Sequence, residues 1–180
     1  MHFETTLTTE PLFEGRVISL TRDTVRLENG KTSAREIVHH HGGAAVAALS
    51  ERGEITLVRQ FRYAFGRELI EIPAGKLEKG EDPFEAAKRE LSEEAGLTAD
   101  TYLDLGTVIP TCGYCTEVIY LYAAKNLHAV PQHLDEDEFV TVFTLPLAEA
   151  VEKVLSGEIA DSKTVAAILK LSALRARGAF

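Results

Sequence analysis

The sequence predicts an α+β fold: a mixed sheet between helices, preceded by a small antiparallel meander. Three observations carry that expectation. Short apolar or alternating runs bounded by Gly, Pro and Asn recur along the chain. Helical patterns occur at 82–95, near 147–155 and from about 162 to 175. The two kinds of element mix without the βαβ repeat of a parallel sheet. At 180 residues, 45% apolar and 26% charged, the chain can bury a sizeable core without staples and is neither disordered nor fibrous.

In chain order, residues 12–20 and 24–28 read as short strands, Asn29-Gly30 as a tight turn and 34–39 as a third strand. Residues 1–41 therefore form the expected meander, and 42–180 the main domain. Gly42-Gly43 punctuates the chain before the apolar run Ala44–Leu49, which has the pattern of a buried strand. Ile55–Tyr63 and Glu68–Ile72 follow as strands. For the helix at 82–95, Asp82 is a good N-cap, Pro83 suits the first helical position and Glu85 stands where a capping box needs it. Phe84, Ala87, Leu91 and Ala95 share one face, and Gly96 is the stop. Strands are expected near 102–109, 117–124 and 138–144, with a linker from Asn126 to Leu134. Gly157 ends the helix near 147–155, and Asp161 caps the last one.

The net charge is −9. An acidic surface argues against nucleic acid as a partner, because binding a phosphate chain needs clustered Lys and Arg. A small phosphate ligand remains compatible if a metal supplies positive charge. No stretch approaches the ~20 apolar residues of a membrane helix, and the first residues lack the basic start of a secretory leader. Two cysteines, Cys112 and Cys115, are too few for a disulfide scaffold. These features predict a cytoplasmic protein with no membrane partner.

The chemistry concentrates on the helix at 82–95. Glu90, Glu93 and Glu94 lie three and four residues apart, on one side of it. Like charges at that spacing weaken a bare helix, so the face is either solvated or neutralised. Hard divalent cations take carboxylate and carbonyl oxygens, and Mg²⁺ sites combine one or two carboxylates with substrate phosphates. Context weighs on the choice. Gly75 is followed after five residues by Glu81, and Glu81 after seven by Arg89-Glu90-Leu91-Ser92-Glu93-Glu94-Ala95-Gly96-Leu97. Every specified position of the Nudix box is met, and the sequence resembles a Nudix hydrolase.

That resemblance implies an α/β/α sandwich with a mixed sheet and a reaction that hydrolyses a nucleoside diphosphate linked to another group. Glu90, Glu93 and Glu94 occupy the family's metal-ligand positions. Glu90 and Glu94 would bind metal beside the Ala74 carbonyl, with Arg89 and Glu93 counted among the catalytic residues. Arg suits its role because its fork holds carboxylates in a fixed geometry. The implied cofactor is Mg²⁺, with Mn²⁺ as the substitute. The metal would polarise a pyrophosphate and help make hydroxide from water.

The flanks Val58-Arg59-Gln60-Phe61-Arg62 and Glu68 to Glu81 resemble the ADP-ribose pyrophosphatase subgroup. Pro110 to Glu117 resembles that subgroup's S-P-G-x-x-x-E loop, with Thr111-Cys112-Gly113 in place of Ser-Pro-Gly. The acidic run Asp135-Glu136-Asp137-Glu138 and the tail Gly157 to Thr164 are similar too. The implied reaction is hydrolysis of ADP-ribose to AMP and ribose 5-phosphate. Its neighbour is a broader nucleoside diphosphate sugar hydrolase. A non-catalytic ADP-ribose sensor is a third reading, against which the intact box argues. The resemblance further implies a homodimer in which the meander is exchanged. Arg62, Glu71 and Glu117 match substrate-contact positions, and Arg35 would come from the partner. Glu136 is expected as general base and Glu138 as a metal ligand.

Three features carry blander readings. His39-His40-His41 is not expected to bind metal, because consecutive strand residues point to alternate faces. Cys112-x-x-Cys115 lacks a second Cys pair and any thioredoxin-like surroundings. Tyr114 either stacks on a base or ribose or is a half-buried loop residue.

Overall fold

The computed structural model describes residues 1–134, 136 and 138–180; Asp135 and Asp137 of the acidic run lie outside the described residues. The chain divides into two compact units, residues 1–42 with 109–118, and residues 43–108 with 119–180.

In the first unit, β1 (Thr5–Glu14), β2 (Ile18–Arg26) and β3 (Thr32–His40) form an antiparallel meander in the order β1-β2-β3. The strand expected at 12–20 is instead two strands. The chain reverses at Gly15, whose N–H donates to the Ile18 carbonyl at 2.9 Å. The threonine-rich run from Thr5 is β-branched and starts β1 earlier than the apolar pattern suggested. The Asn29-Gly30 turn forms as expected, with Gly30 at φ +80° and the Lys31 N–H on Asn29 Oδ1. Segment 109–118 adds to β3: the Val38 N–H donates to the Tyr114 carbonyl and the Thr116 N–H to the Val38 carbonyl. β1 is exposed along its whole length, including Leu7, Leu12 and Phe13.

The second unit holds two sheets. One has the order β7-β4-β9-β8, from β4 (Gly43–Ala48), β7 (Ala74–Lys76), β8 (Leu97–Val108) and β9 (Ile119–Ala129). It is mixed, because β4 runs parallel to β9 while β7–β4 and β8–β9 are antiparallel. The other has the order β10-β5-β6, from β5 (Glu54–Arg62), β6 (Arg67–Glu71) and β10 (Val140–Pro146). Helices α1 (Pro83–Ala95), α2 (Leu147–Leu155) and α3 (Ser162–Ala176) complete the unit.

Strand β4 shows why the run Ala44–Leu49 carries no polar residue. Alternate side chains face opposite sides. Ala44, Val46 and Ala48 pack with Ala86, Ala87 and Leu91 of α1. Ala45, Ala47 and Leu49 belong to the second core with Leu57, Ile168 and Leu171. Helices on both faces make β4 buried throughout, and its alanines allow the close approach. This is the expected α/β/α layering.

Two stretches were read too loosely from sequence. Residues 74–76 form β7 within what read as a loop, and β9 runs to Ala129, past the expected linker start at Asn126. β9 persists because β8 begins directly after Gly96 and pairs with it down to Leu97–Ala129. Asn126 adopts φ +58° within the strand.

Helix α1 begins as predicted. Asp82 Oδ1 accepts from the Phe84 and Glu85 N–H groups at 2.9 and 3.1 Å. The return half of the capping box is not made, because the Glu85 carboxylate takes Lys88 Nζ at 2.6 Å. Gly96 closes the helix at φ +62°. The side-chain cap of α1 is therefore the Asp82 half alone, and Asp82→Ala should cost about 1 kcal/mol of unfolding free energy. A shift of the urea midpoint with an unchanged slope would register it.

Candidate functional site

The site is assembled where β7 lies along α1. Arg89 projects from the second turn of the helix and gathers the acids around it. Its Nε and Nη2 donate to the two oxygens of Glu81 at 2.9 and 3.1 Å. Its Nη1 donates to Glu90 Oε1 at 2.7 Å and to Glu93 Oε2 at 2.9 Å. One guanidinium thus ties the loop before the helix to the helix face, using the planar fork that Lys lacks. The Arg89 hydrogen bonds hold Glu81 below the usual carboxylate range, and the three carboxylates raise Arg89 further.

The inner side of the face is buried. Glu90 lies against Gly75, where any Cβ would collide with its carboxylate. The Gly75 position of the box is therefore a space requirement. Glu94, 3% exposed, accepts the Ala74 N–H at 2.8 Å. Burial pushes Glu94 up to about 8, against the Ala74 hydrogen bond, with the charges of Glu90 and Glu138 adding to the rise. Burial also raises Glu90, opposed by Arg89 and reinforced by Glu93 and Glu138.

These observations fit a hard cation. The donors are carboxylates, two of them are buried, and their negative charge exceeds what Arg89 compensates. Among the described residues no three acidic, His or Cys side chains converge in a closed metal-ligating cluster. The fit rests on donor chemistry and the Gly75 cradle.

Residues 130–133, which precede the acidic run, are held to the end of α1 by a staple that sequence reasoning missed. The Gln132 Nε2 donates to the Glu94 carbonyl, the His133 N–H to the Glu93 carbonyl at 3.2 Å and the Val130 N–H to the Gly96 carbonyl at 2.9 Å. Carbonyls that a helix end leaves without internal partners are satisfied here by the chain that leads to the run. Glu138 is half-buried and acts electrostatically on Glu90 and Glu94; Glu136 is exposed. No pattern marked Gln132 in the sequence.

A second ionic assembly lies at the ends of β5 and β6. Arg62 binds Glu71 through two parallel bonds, Nε to Oε1 at 2.6 Å and Nη2 to Oε2 at 2.7 Å. Lys163 Nζ reaches Glu71 Oε2 at 2.5 Å and Asp161 Oδ2 at 3.0 Å. Burial by itself would raise Glu71. The Arg62 hydrogen bonds and the charges of Lys163 and Arg62 overcome it, and the net direction is down. Arg62 also feels the charge of Glu94.

In the first unit, Arg35 binds both oxygens of Glu4 and also Ser33 Oγ and the Ala34 carbonyl. Glu117 stands 3.5 Å from His40 Nδ1, which accepts the Gly42 N–H. Cys112 is exposed, and both cysteines are free thiols. Tyr114 is exposed.

The family model of the NUDIX domain matches residues 39–168. The chain belongs to the Nudix family. Residues 4–38 match the nucleoside diphosphate sugar hydrolase N-terminal domain. A methanol dehydrogenase activator from Bacillus methanolicus is 46% identical over 92% of this chain and 90% of its own length. An ADP-ribose pyrophosphatase from Bacillus subtilis is 44% identical over the same shares. The crystal structure of an ADP compounds hydrolase shares the fold, with a TM-score of 0.85 at 21% identity over 98% of this chain and 97% of that one. The carboxylate face described above is thus the Nudix box of a Nudix hydrolase. No helix among the described residues is long and apolar enough to cross a membrane.

The Glu71 assembly has a pH consequence. A native pKa below the unfolded value means that Glu71 stabilises the fold fully above about pH 4.5, and that this contribution fades as pH falls through the native value. Between about pH 6 and pH 3, wild type should lose more of its unfolding free energy than Glu71→Gln, which has no such proton to take up. Equal losses in urea titrations would contradict it.

Proposed function

We propose that the chain is a Mg²⁺-dependent pyrophosphatase that hydrolyses ADP-ribose to AMP and ribose 5-phosphate, acting in the cytoplasm as a homodimer. The observation that carries this reading is the Arg89-organised carboxylate face, with Glu90 and Glu94 buried against β7. The names of the Bacillus subtilis relative and of the matched N-terminal domain support the substrate class. Exposed Leu7, Leu12 and Phe13 on β1 support burial of the meander against a second copy.

Glu90, Glu94, Glu138 and the Ala74 carbonyl would hold Mg²⁺, or Mn²⁺ in its place. A bound Mg²⁺ supplies charge that polarises phosphoryl oxygens and acidifies water. Arg89 keeps Glu90 and Glu93 in fixed rotamers, so the site does not reorganise during the reaction. Arg62, steadied by Glu71, binds the anionic substrate, while Glu117 and the partner's copy of Arg35 contact its remainder. Glu136, exposed on its loop, removes a proton from the attacking water. The water oxygen bonds to one phosphorus as the bond from that phosphorus to the bridging oxygen breaks; the bridging oxygen departs on the other phosphate, and AMP and ribose 5-phosphate leave. A broader nucleoside diphosphate sugar hydrolase is the second reading, favoured by the N-terminal domain match, whose description specifies no base or sugar.

Glu94→Gln keeps the size of the side chain and removes the carboxylate that would bind the cation, so turnover of ADP-ribose should fall by about 10²-fold or more with the circular dichroism spectrum retained. Glu136→Gln should lower kcat by about 10²–10⁴-fold with KM nearly constant, since a base acts on the way to the transition state. Wild-type kcat in Glu136→Gln would reject it as the base. A panel of ADP-ribose, other ADP-sugars and GDP-sugars, read by nucleoside monophosphate release, separates the two substrate readings. For the assembly, sedimentation should give twice the chain mass, and deletion of 1–41 should abolish the dimer.

A further inference from the structure

Lys163 is almost fully buried, an uncommon position for a lysine. It is not needed for the cap of α3, because Asp161 Oδ2 already accepts from the Thr164 N–H at 3.0 Å and from Thr164 Oγ1 at 2.6 Å. Thr164 Oγ1 in turn accepts the Ile72 N–H at 2.9 Å, which pins the start of α3 to the end of β6. Stability alone would be served as well by an apolar side chain, since burying an ammonium carries a desolvation cost. What the charge does is local. Its Nζ lies between Asp161 and Glu71 Oε2, the same oxygen that receives Arg62 Nη2. Glu71 is thereby held by a buried cation as well as by its solvent-reaching partner, and Arg62 meets a carboxylate with less freedom to rotate.

We propose that Lys163 is a positioning residue for substrate binding: it holds the Glu71 carboxylate in the orientation that clamps Arg62, and so sets the guanidinium that receives the anionic substrate. This rests on the reading of Arg62 as a substrate contact. Arg62 uses only one edge of its fork on Glu71, through Nε and Nη2, and its side chain remains 40% exposed. The remaining N–H groups suit a phosphate or a ribose oxygen. Once Lys163 is lost, Arg62 gains rotamers, and each substrate encounter must reorder it.

The test is a double-mutant cycle with ADP-ribose and Mg²⁺, using Lys163→Met, Arg62→Ala and the pair. Lys163→Met should raise KM by about five- to tenfold and affect kcat less, and it should add nothing in the Arg62→Ala background. Equal effects of Lys163→Met with and without Arg62, or a loss confined to kcat and thermal stability, would overturn the proposal. A wild-type KM in Arg62→Ala would instead reject Arg62 as a contact. A raised KM there, with a wild-type KM in Lys163→Met, would reject only the role of Lys163. Should Lys163→Met fail to fold, Asp161→Asn keeps a capping side chain, removes the charge that steadies Nζ and carries the same cycle with the same criteria.

Discussion

The arrangement depends on one guanidinium. Arg89 faces three carboxylates at once, Glu81 before the helix and Glu90 and Glu93 on it. Without it, the acids on α1 would repel one another, and the loop from β7 into the helix would lose its tie to the helix face. With it, three negative charges meet one positive charge, so the face is ordered yet still negative. A divalent cation is the partner that such a field favours, because its charge and hardness match the uncompensated oxygens. Arginine can do this because its donors lie in one rigid plane. The ammonium of a lysine would satisfy one or two acids and leave the rest to solvent.

The second constraint is steric. β7 and α1 approach so closely at Gly75 that the Glu90 carboxylate occupies the space of a side chain. At the same level Glu94 accepts the Ala74 N–H. The helix face is thus divided between environments. Glu93 and Arg89 stay partly in solvent, while Glu90 and Glu94 are forced into the interior, where burial opposes their charged forms. Carboxylates so opposed by burial cluster at functional sites. The apolar neighbours of Glu90 and Glu94 on the same buried side of α1, Ala86, Ala87 and Leu91, pack against the alanine-rich strand β4.

The third element is the chain of charges Asp161–Lys163–Glu71–Arg62. It reaches across elements that are remote in sequence, with Lys163 and Glu71 separated by 92 residues. Arg62 and Glu71 are not partners in the β5–β6 register, where Arg62 faces Arg67 and Glu71 faces Val58. Their contact depends on the long arginine side chain and on the start of α3 being pinned to Ile72. The whole assembly alternates positive and negative groups, so no buried charge is left alone.

Local rules were enough for much of this. The period of 3.6 and the Asp82 and Gly96 caps located α1, and the spacing from Gly75 to Leu97 marked the chemistry before any contact was known. The uninterrupted apolar run at Ala44–Leu49 announced a strand covered on both faces. Where the sequence misled, the deciding partner was distant. A threonine-rich segment became β1 because β2 was there to pair with it, and 74–76 became a strand only because β4 runs alongside. By itself, then, the sequence determined the helix that presents the carboxylates and the residue types on it, because those follow from spacing along one element. Tertiary structure alone decided which carboxylates are buried, that Gln132 staples the end of α1 and that Lys163 grips Glu71, because hydrogen bonds between remote segments leave no periodic trace in the chain.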